Sequence, residues 1–141
     1  MTMPGSLREA KPLSRNSLPS PLAGEGLRVR GLEVDIKFDE KGLVPAVVQD
    51  ADSGDVLMLG YMNAEALRRT LAGPDIWFWS RSRSELWHKG ATSGNYIKVV
   101  SVWVNCEDNS LLVKARPTGP VCHTGNRTCF YRELPRPSGK G

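Results

Sequence analysis

The run Leu43-Val44-Pro45-Ala46-Val47-Val48-Gln49 is followed by Asp50-Ala51-Asp52-Ser53-Gly54-Asp55 and then by Val56-Leu57-Met58-Leu59-Gly60-Tyr61-Met62. The first seven residues are apolar and partly β-branched, which suits a pleated, buried surface. The next six are Asp, Ser and Gly with one Ala between, residues that turn a chain. The last seven are apolar again. Strand, turn and strand in direct succession predict a hairpin, and with it a domain built mainly of β structure.

Working outward, Asn63 is a good N-cap for a helix. Glu65 suits the positive end of that helix, and Arg68 and Arg69 suit its negative end. Leu67 and Leu71 are four apart and share a face. Gly73-Pro74 stops the helix after about two to three turns. Ile76-Trp77-Phe78-Trp79-Ser80 then reads as a strand with aromatics on both faces. Tyr96 to Cys106 is the longest strand pattern, Glu107-Asp108-Asn109-Ser110 turns the chain, and Leu111 to Ala115 returns. Strands dominate and one short helix is an accessory, so the fold class expected is mainly β (α+β), without internal repeats.

A chain of 141 residues holds one domain with a sizeable core. The formal net charge is +4, and residues 1–30 carry Arg8, Lys11, Arg15, Arg28 and Arg30 against Glu9 and Glu25. That is +3 for the first thirty residues and +1 for the remainder. The basic balance therefore belongs to a terminal segment, and no nucleic-acid partner is expected. Pro4, Pro12, Pro19 and Pro21, without apolar periodicity, mark residues 1–30 as a disordered extension. The expected domain is 31–134, with 135–141 a loose C-terminal tail. No run approaches the length of a membrane span, and no secretory signal is visible. A cytoplasmic protein without disulfides is the expectation.

The chemistry concentrates in Cys106, Cys122 and Cys129. Three thiolates can hold zinc and leave its fourth tetrahedral position open, as catalytic sites do. Fifteen residues separate the first two cysteines and six the last two, which matches no zinc-finger knuckle. Buried apolar cysteines, or one disulfide and a spare thiol, are the alternatives. The polar, glycine-containing run Val121-Cys122-His123-Thr124-Gly125-Asn126-Arg127-Thr128-Cys129 favours a metal. His123 is a candidate general base, a fourth ligand, or a hydrogen-bonded structural residue. His88 lacks comparable context and reads as a surface residue.

Two further segments carry binding chemistry. Ser80-Arg81-Ser82-Arg83-Ser84-Glu85-Leu86-Trp87-His88-Lys89-Gly90 leads into Ala91-Thr92-Ser93-Gly94-Asn95. Arginine forks, glycine-rich backbone and small hydroxyls all suit phosphate, and a solvated hairpin loop is the alternative. Asn105, Glu107 and Asn109 alternate around Cys106. In extended geometry they would project to one side and offer oxygens to Mg2+, while a polar β-turn is the plainer reading.

The ordered blocks Trp87-x-Lys89-Gly90-x-Thr92-Ser93-Gly94-Asn95, Leu111-Leu112-Val113-Lys114 and Cys122-His123-Thr124-Gly125-x-x-Thr128-Cys129-Phe130 resemble the phosphoribosyl-AMP cyclohydrolase family of histidine biosynthesis. The resemblance runs from about Gly42 to Tyr131 and includes Gly60-Tyr61-Met62-Asn63 and Ser80-Arg81-Ser82-Arg83. It implies a small β-rich, pseudo-barrel-like domain in an intertwined homodimer. It implies zinc, one per subunit, on Cys106, Cys122 and Cys129, with ligands drawn from both chains. The family's magnesium positions fall on Asn105, Glu107 and Asn109, where three aspartates become one carboxylate and the attraction for Mg2+ weakens. The reaction implied is hydrolysis of the N1–C6 bond in the adenine ring of 1-(5-phosphoribosyl)-AMP. His123 would serve as base, and Arg81, Arg83, Trp87, Lys89, Thr92, Ser93 and Gly94 would hold the phosphorylated substrate. No second, pyrophosphohydrolase domain is expected. The altered acidic positions leave a zinc-binding paralogue with lost or changed activity as the alternative. A nucleobase deaminase would show H-x-E and P-C-x-x-C, and both are missing.

Overall fold

The computed structural model of the chain describes residues 26–28 and 34–137. The expected extension, Gly26–Arg28 apart, and residues 138–141 of the expected tail lie outside the described residues. Among the described residues eight strands and one helix follow in the order β1 (Gly26–Arg28), β2 (Asp35–Lys37), β3 (Val44–Asp50), β4 (Val56–Met62), α1 (Ala64–Ala72), β5 (Trp77–Ser80), β6 (Glu85–His88), β7 (Ile97–Val104) and β8 (Leu111–Pro117).

The mainly β character with one short helix is as read from the sequence. The expected hairpin is β3 against β4, antiparallel, with Ala46 opposite Gly60. A second hairpin joins β7 to β8, with Val104 opposite Leu111. The two hairpins are united by a parallel pairing of β3 with β8, giving the order β4-β3-β8-β7. Two small sheets, β1-β2 and β5-β6, complete the domain, and the sheets do not close on themselves into a barrel.

The helix forms where its signals stand. The Asn63 side chain accepts a hydrogen bond from the backbone N–H of Ala66 at 2.8 Å. Gly73, at φ 69°, ends it by donating to the carbonyls of Arg69 and Thr70. Thr70 is fully buried and ties helix to sheet: its hydroxyl donates to Ala66 and accepts from the N–H of Trp77. Leu67 and Leu71 do share a face, on an apolar groove they border with Val34, Ile36, Val102, Trp103, Val104 and Leu111.

Three elements escape the sequence reading. Strands β1 and β2 pair with Leu27 opposite Ile36, so regular structure begins inside the stretch expected to be a tail. Ile36 and Phe38 are buried, and the alternation Val34-x-Ile36-x-Phe38 was the available signal. Strand β6 stands within the Ser80–Gly90 stretch, whose sequence carries no strand pattern, and its Trp87 packs on the buried Phe78 of β5 at 5.6 Å between rings. The core itself gathers Ile36, Val44, Ala46, Val48, Leu57, Met62, Leu67, Ile76, Phe78, Ile97 and Val113 between sheet and helix.

Candidate active site

The chain after β8 folds back on itself between Val121 and Cys129. The N–H of Val121 donates to Arg127, that of Cys122 to Asn126, and that of Gly125 to Cys122. Gly125 takes φ 92°, where a side chain is disfavoured, and so allows the reversal. The fold-back makes the thiols of Cys122 and Cys129 close neighbours, each perturbing the other.

The loop is then fastened to the hairpin β3-β4. The N–H of Cys129 donates to Leu57 at 2.7 Å, and the Thr128 hydroxyl to Val56 at 2.8 Å. Arg127 spreads its guanidinium over the β3–β4 turn, donating to Asp50 and Asp55 at 2.7 Å each and to Ser53 at 3.1 Å. Asp50 is held below the usual carboxylate range by the backbone N–H groups of Ser53 and Asp52, with Arg127 adding to the effect. Nothing in the sequence pairs Arg127 with residues more than seventy positions earlier, and sequence reasoning missed it.

The two thiols have unlike surroundings. The Thr124 hydroxyl donates to the sulfur of Cys122 at 3.1 Å and, with the Thr124 backbone N–H, pulls its thiol pKa down. Desolvation of the sulfur pushes Cys129 up, and the neighbouring Cys122 adds to the rise. The two thiols are therefore split in acidity, with Cys122 the more acidic of the pair. His123 is exposed beside this pair.

Lys89 is the other neighbour. It is buried, 8% exposed, and its ammonium donates to the carbonyl of Val121 at 2.6 Å. It also lies over the Trp87 ring at 5.1 Å. The two arginines named with Lys89 as substrate holders stand apart from it. Arg81 covers the Tyr61 ring at 4.1 Å and Arg83 reaches Glu85 at 3.6 Å, both exposed at the tip of the β5-β6 hairpin. Thr92, Ser93 and Gly94 form an exposed turn beyond the other end of β6. Four residues of β6 separate tip and turn, a span of about 13 Å. Trp87 lies between them.

Cys106 is elsewhere. It lies in the β7–β8 turn, level with Ala46 and Leu111, whereas the cysteine loop is pinned near Asp50, level with Ala115. Four residues of strand, about 13 Å, separate the two levels. Among the described residues no three His, Cys, Asp or Glu side chains converge as a metal group. One chain thus offers zinc two adjacent sulfurs, a fitting but incomplete donor set.

Of the two readings of Asn105, Glu107 and Asn109, the structure has the polar turn and not the extended alternation. The segment is a tight turn with Asp108 at φ 60°. The Asn105 side-chain oxygen Oδ1 accepts from the backbone N–H groups of Asn109 and Ser110, and its side-chain Nδ2 donates to Oδ1 of Asn109 at 2.7 Å. The Asn105 and Asn109 side-chain oxygens are thus engaged in capping the turn.

His88 is not the plain surface residue expected. Its Nε2 lies 2.9 Å from Asp75, its ring stacks on Trp77 at 4.3 Å, and Lys98 holds the second Asp75 oxygen at 2.9 Å. Asp75 is held below the usual range, first by Lys98 and also by His88, against the opposing pull of burial.

Residues 58–131 match the family described as phosphoribosyl-AMP cyclohydrolase. The phosphoribosyl-AMP cyclohydrolase of Clostridium botulinum (strain 657 / Type Ba4) is 54% identical over 102 residues, 72% of this chain and 92% of that protein. That of Lactiplantibacillus plantarum is 57% identical over 93 residues, 66% of this chain and 86% of the relative. A histidine biosynthesis bifunctional protein HisIE from Caldanaerobacter subterraneus is 52% identical over 100 residues, and there the match spans 49% of the longer relative.

Proposed function

The chain belongs to the phosphoribosyl-AMP cyclohydrolase family, hydrolases of histidine biosynthesis, and from that premise we propose a zinc-dependent opening of the adenine ring of 1-(5-phosphoribosyl)-AMP at N1–C6. The observation that carries the zinc reading is the fastened pair Cys122–Cys129, with Thr124 lowering one thiol. Cys106 of a second copy completes the donor set, so the working unit is a homodimer with a site shared between chains. Zinc, when bound there, lowers the pKa of a water molecule and makes it a nucleophile near neutral pH.

The remaining steps fall to this chain's own residues. The ring alkylated at N1 is electron-poor at C6, where water attacks. His123 beside the cysteine pair takes the proton from the attacking water and returns one to N1 as the N1–C6 bond breaks. The substrate carries a phosphate at each end. The arginine-bearing tip of the β5-β6 hairpin takes one, and the Thr92-Ser93-Gly94 turn takes the other, about 13 Å away. Trp87, on the strand between them, offers an aromatic face toward the base. Magnesium enters no step, because the Asn105 and Asn109 oxygens serve the turn. The reaction is placed in the cytoplasm with the rest of amino-acid synthesis.

The test is elemental analysis of purified protein together with rescue of a histidine auxotroph that lacks this step. We expect one zinc per chain and growth without histidine, with both lost on Cys122→Ser. Zinc without rescue would point to the paralogue that has lost the activity. No zinc in the wild-type protein would end the zinc reading.

A further inference from the structure

Lys89 is buried while carrying an ammonium group, and burial alone pushes its proton affinity down. An ammonium in such a place is costly unless opposite charge stands near. None of the ion pairs among the described residues includes Lys89. Among the described residues its ammonium makes one hydrogen bond, to the carbonyl of Val121, the residue before Cys122. The charges that act on it in the favourable direction are those of Cys129 and Cys122. The Trp87 face lies beneath it at 5.1 Å.

We propose that Lys89 is the built-in counter-charge of the Cys122–Cys129 pair and a positioning residue for the loop that carries it, not a holder of substrate phosphate. The inference rests on the zinc reading above. Three thiolates on a divalent ion leave a net negative charge in a partly desolvated pocket. A fixed cation beside two of them offsets that charge. The bond to Val121 sets the height of Cys122 relative to Cys129. Phosphate contact would instead require the ammonium in the open, where Arg81 and Arg83 stand.

Two variants separate the charge from the hydrogen bond. Lys89→Gln keeps a donor for Val121 and loses the charge, and Lys89→Met loses both. Zinc affinity is read by competition with a chromophoric chelator, KM and kcat are read on the zinc-loaded enzymes, and melting of each apo form reports folding. We expect Lys89→Gln to bind zinc about tenfold more weakly, the scale for groups placed behind metal ligands, and Lys89→Met at least as weakly. KM should change little in both once zinc is saturating. Unchanged zinc affinity with a raised KM would overturn the proposal and return Lys89 to the substrate. Loss in Lys89→Met alone would leave only the hydrogen bond and overturn the counter-charge. A wild-type protein without zinc would instead remove the premise, a result distinguishable from both.

Discussion

Arg127 is the residue on which the cysteine loop depends most visibly. The loop touches the sheet through three backbone-directed bonds, two from the Thr128 hydroxyl and one from the Cys129 N–H, and through the three-way grip of Arg127 on Asp50, Asp55 and Ser53. The guanidinium is half exposed, so its ion pairs are screened and their contribution to global stability is small. Their effect is local: they fix the segment between the two sulfurs. Arg127→Ala should therefore leave the melting temperature of the apo protein nearly unchanged. It should increase zinc dissociation about tenfold and open residues 121–129 to limited proteolysis. A large fall in melting temperature with unchanged zinc release would show that Arg127 serves the fold and not the loop. Thr124 acts on a single atom, the sulfur of Cys122. Thr124→Val should slow alkylation of Cys122 in the apo protein at neutral pH, because it removes the donor that lowers that thiol's pKa. An unchanged alkylation rate would remove Thr124 from the account.

Among the elements, β4 and β5 are held together by what one residue lacks. A Cβ added at Gly60 would stand 2.6 Å from two carbons of the Phe78 ring, closer than side chains pack. Phe78 is fully buried and supports Trp87, which in turn underlies Lys89. The missing side chain thus sets the height of the β5-β6 hairpin over the main sheet. Gly60→Ala should destabilise the domain by about 1–3 kcal/mol through overpacking. For a domain of this size that lowers the melting temperature by about 4 °C or more. An unchanged melting temperature would mean that the ring shifts freely and that the hairpin is not anchored there. The helix contributes at its ends. Asn63 and Gly73 cap it, and the buried Thr70 hydroxyl hands a hydrogen bond on to β5.

At the scale of the whole molecule, the sheet has two working ends. One carries the loop with Cys122 and Cys129, and the other carries the turn with Cys106. Strand β7 lies at the sheet edge, with Val100 47% and Trp103 55% exposed, beside the apolar groove bordered by Leu71 and Val104. Exposed apolar side chains along an edge suit a second copy of the chain. Under the shared-site reading, mixing Cys106→Ser with Cys122→Ser protein should restore zinc binding. Each mixed dimer holds one intact site, so random pairing recovers roughly a quarter of all sites. A mixture that stays as inactive as its components would place all three cysteines in one chain, or none of them on zinc.

Local chemistry alone was enough to read the β3-β4 hairpin, the capped helix, the β7-β8 hairpin and the loop of Cys122 and Cys129. Alternation, turn residues, caps and a polar loop are properties of neighbours, and neighbours are what a sequence lists. Strand β6 was hidden because its residues Glu85 to His88 lie between polar turns, and only packing against Phe78 shows that they are a strand. The turn after Asn105 was legible in its polar residues, but which side-chain oxygens the backbone would claim was not. The burial of Lys89 was equally invisible in its polar sequence neighbourhood. The fold buries it against Val121, thirty-two residues later, and Arg127 meets Asp50 across seventy-seven. The parallel pairing of β3 with β8 that makes one sheet of two hairpins is equally remote. Contacts of that span depend on how the elements pack, and only the tertiary structure decided them.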